Sequence, residues 1–255
     1  MNMLNLSKEE SINLLNLRKE HINKLNLSKP QMNQKARVAI AVDYSGSMRK
    51  FYKDGTVQAI LEKILPIALE FDDNGTLDVW LFDDSYRRMP GMNIDNYYDY
   101  VQKEILDKGY HMGGTNYSPV INDIKKFYID EEPELVPNYI LFVTDGDNFD
   151  KRATTESIKE FSEFPIFWQF VGIGKSEFTY LEKLDDLKDR YVDNADFFSV
   201  SNVKDFYEKE SIYEYLLNEY PNWLEYPEVK DMLTNGFKKS SEQKSSEKKR
   251  FFGLF

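Results

Sequence analysis

The sequence predicts an α/β fold: a doubly wound, mostly parallel β-sheet covered by helices on both faces. Three observations carry that expectation. Continuous apolar runs such as Val38-Ala39-Ile40-Ala41-Val42 and Tyr139-Ile140-Leu141-Phe142-Val143 have the pattern of strands buried on both faces. Segments with helical periodicity alternate with these runs, which implies right-handed crossovers between parallel strands. A length of 255 residues, 41% hydrophobic and 15% aromatic, is enough for one sizeable core with extensions.

Residues 1–34 read as an N-terminal helical extension. They carry an imperfect repeat, Leu4-Asn5-Leu6, Leu15-Asn16-Leu17 and Leu25-Asn26-Leu27, at spacings close to whole helical turns. Ser7, followed by Lys8, Glu9 and Glu10, opens one or two short amphipathic helices that Pro30 stops. The units are too short for a solenoid, so the segment is expected to cover the domain or a partner.

Residues 35–225 read as the globular domain. The strand at Val38–Val42 ends in Asp43-Tyr44-Ser45-Gly46-Ser47. A loop follows, and then Thr56, as N-cap, opens a helix to about Asp72 whose apolar residues nearly encircle it and should bury it. Leu77–Phe82 reads as a second strand, Tyr86–Met89 as a short edge strand, Ile94–Leu106 as a helix and Gly113-Gly114 as a turn. Tyr117–Tyr128 is helical, with Pro119 in the first turn where proline is tolerated. Tyr139–Thr144 gives another buried strand, ending in Asp145-Gly146. Helix, strand, helix, strand and helix follow at residues 154–163, 167–171, 178–187, 196–200 and 203–217. Residues 226–255 read as a C-terminal helix or linker and a basic tail. Lys238–Arg250 has a disordered composition, and Phe251-Phe252-Gly253-Leu254-Phe255 suits a docking peptide or a weak membrane contact.

Composition excludes whole classes of chemistry. With no cysteine there are no disulfides, no thiol catalysis and no thiolate zinc site. His21 and His111 are the only histidines, so a Ser-His-Asp triad or a multi-histidine metal site has almost nothing to be built from. The net charge of −11 divides into +4 on residues 1–38, +4 on residues 237–255 and −19 between them. That acidic core repels nucleic-acid phosphates and anionic lipid. The first residues show neither a basic-then-apolar leader nor a cleavage pattern, and no run reaches transmembrane length, so the expected location is the cytoplasm.

In an open parallel sheet, ligands bind beyond the carboxyl ends of the strands. Asp43, Ser45 and Ser47 follow the first strand, Thr115 precedes a helix, and Asp145 follows the central strand, so all three loops should share that edge. Two carboxylates and three hydroxyls are hard oxygen donors, the set that suits Mg²⁺, Mn²⁺ or Ca²⁺. Alternate spacing lets Asp43, Ser45 and Ser47 curl around one point, with Gly46, and likewise Gly113 and Gly114 beside Thr115, allowing tight turns.

Asp43-Tyr44-Ser45-Gly46-Ser47-Met48, Gly114-Thr115 and Thr144-Asp145-Gly146 resemble the metal-ion-dependent adhesion site of von Willebrand factor A (vWA) domains. Leu65–Gly75, Gly114–Pro119, Phe167–Gly174 and Val192–Phe198 resemble, more narrowly, the vWA proteins of bacterial tellurium-resistance and stress-response clusters. The resemblance covers residues 35–225. It implies a Rossmann-like vWA fold in which Ser45, Ser47 and Thr115 contact the metal directly and Asp43 and Asp145 act mostly through water. An open coordination position would then take an Asp or Glu carboxylate from a protein partner.

Weaker signals are set aside. Gly172-Ile173-Gly174-Lys175-Ser176 ends like a phosphate-binding loop, but Gln169 stands where its first glycine belongs. Asp145-x-Asp147-Asn148 begins like a calcium loop, but Phe149 occupies a ligand position; Asp147 is expected to tune the rim charge instead. His111 is expected at the rim of the metal loop rather than in it. The leading expectation is a metal-dependent binding module in a stress-response or tellurium-resistance complex. The alternatives are a metal-assisted phosphohydrolase, for which Ser45 stands where a second aspartate is needed, and a scaffold whose metal is only structural.

Overall fold

The computed structural model describes residues 7–29, 34–72 and 74–237. The first Leu-Asn-Leu unit, Pro30, and the basic tail with its Phe251–Phe255 end lie outside these residues. Six strands form one sheet: β1 (Arg37–Asp43), β2 (Asp78–Phe82), β3 (Tyr86–Arg88), β4 (Asn138–Thr144), β5 (Ile166–Ile173) and β6 (Ala195–Val200). Their spatial order is β3-β2-β1-β4-β5-β6, with only β3 antiparallel. Every residue of β1, β4 and β5 is buried, as their unbroken apolar runs require.

Side-chain alternation divides the core in two. Val38, Ile40 and Val42 face one layer, which includes α1 (Lys8–Ser28), α2 (Arg49–Lys53) and α3 (Thr56–Phe71). Ala39 and Ala41 face the other, with α4 (Ser118–Lys125), α5 (Lys151–Phe161) and α6 (Thr179–Asp185). The alanines leave room for a pile of rings: Phe82 stacks on Phe142 at 4.5 Å, and Tyr117 meets Phe142 edge-on at 4.8 Å.

The described residues of the N-terminal segment form one helix, α1. Ser7 and Glu10 form a capping box at its start, the Ser7 hydroxyl accepting from the Glu10 amide while the Glu10 carboxylate accepts from the Ser7 amide. Leu15 and Ile22 are buried against α3, whereas Leu17 is exposed. Pro66 inside α3 has no N–H to give the Glu62 carbonyl, and the buried Arg18 of α1 supplies a donor there at 3.1 Å. The same guanidinium donates to the Tyr207 carbonyl at 2.9 Å, tying α1 to α3 and α7 (Val203–Glu208).

Several expected elements differ in detail. The loop after Ser47 is largely helical, a 3₁₀ turn at Gly46–Met48 leading into α2. Thr56 is the first residue of α3 rather than its cap; Gly55, with φ of 80°, holds that position, and the Asp54 carboxylate accepts from the Thr56 amide. The helix expected at Ile94–Leu106 is reduced to a π-helical turn at Val101–Ile105 and a 3₁₀ turn at Leu106–Lys108. The helix expected at residues 203–217 is broken into α7 and α8 (Ile212–Leu216), and two further short helices, α9 (Tyr220–Trp223) and α10 (Pro227–Asn235), follow it. Proline opens both α9 and α10. No helix among the described residues is long and apolar enough to cross a membrane.

Candidate metal centre

The site is built at the carboxyl edge of the sheet from the ends of β1 and β4 and the segment before α4. Asp43, the last residue of β1, is buried. Its Oδ1 accepts the Ser45 amide at 2.7 Å, so the chain turns back on its own carboxylate, as aspartate favours. Its Oδ2 accepts the Thr144 hydroxyl at 2.7 Å, and its carbonyl accepts the Tyr52 hydroxyl at 3.0 Å. A line of oxygens runs outward from there. Ser45 Oγ lies 3.0 Å from Ser47 Oγ, and the Ser47 hydroxyl donates to Asp145 Oδ1 at 2.7 Å.

Thr115 arrives on the third loop. The Gly46 amide donates to the Gly113 carbonyl at 3.1 Å, and the Phe149 amide donates to the Thr115 carbonyl at 3.0 Å. These bonds clip the Thr115 loop to the other two. Burial pushes the Asp43 carboxyl up to about 6; the hydrogen bonds from Ser45 and Thr144 work against that, and the nearby Asp145 charge adds to it. A carboxylate held in such surroundings gains from a cation beside it. The donors, two carboxylates and three hydroxyls, fit a hard divalent cation, and Asp43, Ser45, Ser47, Thr115 and Asp145 are the residues that could hold one.

The glycines work differently from expectation. Neither Gly113 nor Gly114 has φ in the left-handed region. A Cβ on either would lie 2.5 Å from a carboxylate oxygen of the exposed Asp84, whose Oδ2 accepts the Gly114 amide at 2.8 Å, so a side chain there would push Asp84 off that amide. Gly46 also has negative-side backbone geometry with open space around it, and nothing in the structure requires glycine there.

Other residues support the site without having stood out in the sequence as its members. Thr144 orients Asp43, a role visible only once β4 is known to lie beside β1. Asp150 accepts the Tyr117 and Ser118 amides at 2.9 and 2.7 Å, joining the start of α4 to the loop after β4. The Ser176 hydroxyl donates to the Asp145 carbonyl at 2.7 Å, so the discounted glycine-rich segment serves as a strand end that steadies Asp145. Asp147 is paired with Lys151, which offsets its charge at the rim. His111 is exposed. Phe149 is 82% exposed beside the Gly114 backbone, an apolar side chain left in solvent next to the polar site.

Comparison with known proteins agrees with this geometry. Residues 35–233 match the sequence model of the vWA-TerF-like family, described as a vWA found in the TerF C terminus. The chain is 37% identical over 221 residues to the uncharacterized protein YcbR of Bacillus subtilis (strain 168), covering 86% of this chain and 90% of that one. Among solved structures it resembles a von Willebrand factor type A protein from Catenulispora acidiphila, with TM-score 0.54 and 15% identity over 71% of this chain. The chain spans 42% of that protein's length. It also resembles the manganese-loaded TRAP protein of Plasmodium vivax, with TM-score 0.51 and 16% identity over 68% of this chain and 73% of that one. With a parallel sheet whose loops gather Asp43, Ser45, Ser47, Thr115 and Asp145 at one edge, and a family match across most of its length, the chain belongs to the vWA family, in its TerF-like branch.

Proposed function

We propose that the protein is a metal-dependent protein-binding module. Ser45, Ser47 and Thr115 would hold a divalent cation, Mg²⁺ by preference, through their hydroxyls, with Asp43 and Asp145 balancing its charge mostly through water. Bound there, the cation supplies an electron-poor centre whose open position takes a carboxylate. The observation that carries this reading is the run of hydroxyl and carboxylate oxygens from Asp43 through Ser45 and Ser47 to Asp145, clipped by backbone bonds to the Thr115 loop. Neutral hydroxyl ligands leave the cation's charge largely unquenched, so an Asp or Glu of a partner completes the shell.

Binding rather than turnover is the favoured chemistry. Ser45 stands two residues after Asp43, where a phosphate-attacking aspartate would need a second carboxylate, and Asp43 is itself held by Ser45 and Thr144 inside the protein. The kinship with TerF-like proteins supports a place in a cytoplasmic stress-response or tellurium-resistance complex. Affinity capture with the full chain, in Mg²⁺ and in chelator, beside Thr115→Ala, tests the reading. A partner retained only by the wild type in Mg²⁺ is expected. A partner held equally in chelator and by Thr115→Ala would point to a scaffold instead, and metal-dependent release of phosphate from phosphoesters would point to a hydrolase.

A further inference from the structure

A second group of oxygens lies away from the candidate metal centre. Asp185 at the end of α6, Asp196 near the start of β6 and Glu219 just before α9 converge so that one carboxylate oxygen from each lies within 4.8 Å of the others. That separation suits a cation with oxygens at about 2.3–2.6 Å, the calcium range. Asp196 pairs in register with Gln169 of β5, so both side chains leave the same face of the sheet. Gln169 is completely buried, and its Oε1 and Nε2 make no hydrogen bond of good geometry, although the side chain is close enough to the Asp196 carboxylate to act on it. A buried amide without well-made hydrogen bonds is costly, and each such group calls for an explanation.

The Gln169 carboxamide nevertheless lies beside the Asp196 carboxylate. Burial pushes the Asp196 carboxyl up, and the adjacent Gln169 amide and the Phe197 amide pull it part of the way back. The Asp185 carboxyl is pushed up to about 7, by burial first and then by Asp196, Glu219, Asp193 and Asp186. Glu219 is raised by burial, then by Asp196 and Asp193, with Arg190 opposing. Arg190 is the basic group at hand, but its guanidinium is engaged by Asp193 at 2.5 Å and by the Leu184 and Asp185 carbonyls at 3.3 and 2.6 Å. Three carboxylates and a carboxamide oxygen without a partner form a donor set of the kind that Ca²⁺ takes.

We propose that Asp185, Asp196 and Glu219, with the Gln169 carboxamide oxygen, form a second divalent-cation site of the calcium class. It is separate from the first. Register places Asp43 level with Ser199 of β6, three strands away, and Asp196 lies three residues before that, roughly 17 Å in all from strand spacing and rise. A cation there would join α6, β5, β6 and the start of α9, stabilising the outer edge of the sheet rather than recruiting a partner.

Calorimetric Ca²⁺ titration of the full-length Asp43→Asn protein, in which the first centre is disabled, tests the assignment. The expected result is one bound Ca²⁺ and a raised melting temperature. Adding Glu219→Gln or Asp185→Asn should weaken binding on the order of tenfold or more, judged from the cost of losing supporting groups at metal sites. Both residues are partly exposed, so at least one variant should fold, as circular dichroism will show. Absence of Ca²⁺ binding by Asp43→Asn, or binding untouched by the folded second-site variants, would overturn the proposal and leave a cluster neutralised by protons and Arg190. Because the first centre is already disabled, neither result bears on the metal-dependent module.

Discussion

At Asp43 a buried carboxylate is held by a hydroxyl and an amide, a costly arrangement for a charge without a cation. Because its folded pKa of about 6 lies above the ordinary 3.8, the folded chain holds the proton more tightly than the unfolded chain. That stabilisation is complete below about 4 and is lost as pH rises through about 6. In chelator, Asp43→Asn should therefore gain in melting temperature relative to wild type between pH 4 and pH 8. With Mg²⁺ present at pH 8 the order should reverse, and wild-type Mg²⁺ affinity should fall as pH drops below about 6, since the proton competes with the metal. A gap between the two proteins that is flat with pH in chelator would contradict this account of Asp43. Asp43, Ser45, Ser47, Thr115 and Asp145 were legible as candidates, because oxygen-bearing side chains after strand ends are a local signal. Thr144 and Asp84 were not, because their partners, Asp43 and Gly114, come from other parts of the chain.

Among elements, the strands were easiest to read, since β1, β4 and β5 are buried on both faces and their composition says so. The turn at Val101–Ile105 and the break between α7 and α8 were not, because no proline or glycine marks either place in the sequence. The role of α1 was also hidden. Arg18 looks like one of many surface cations in sequence, yet it is buried and answers the carbonyl that Pro66 leaves open. Arg18→Met should cost about 3 kcal/mol in urea unfolding, because the part-buried Glu62 carbonyl and the buried Tyr207 carbonyl lose their donor, while Glu210 keeps Lys63 at 2.8 Å; a loss below about 0.5 kcal/mol would show that α1 is only loosely docked. At the end of β5, a Cβ on Gly172 would lie 2.7 Å from the Phe178 ring. Gly172→Ala should destabilise by about 1–3 kcal/mol as an overpacked contact, and unchanged stability would mean that Phe178 moves freely.

For the whole molecule, the six-stranded sheet brings three distant loops to one edge, which the alternation of strands and helices predicted and the fold bears out. Charge sets how a partner reaches that edge. The region between residues 38 and 237 carries −19, so the acidic partner proposed for the metal centre would be repelled at long range and captured only at contact. Its association rate should increase as salt approaches physiological strength and the screening length shrinks to about 8 Å, whereas steering by the basic termini would make it decrease. The most direct test of the metal centre is Mg²⁺ calorimetry on wild type and Asp43→Ala, with circular dichroism to confirm that both are folded. The account predicts binding by wild type that disappears in the folded variant. Equal Mg²⁺ binding by the two would contradict it, and would leave the vWA sheet as a scaffold whose oxygens at the strand ends hold no metal.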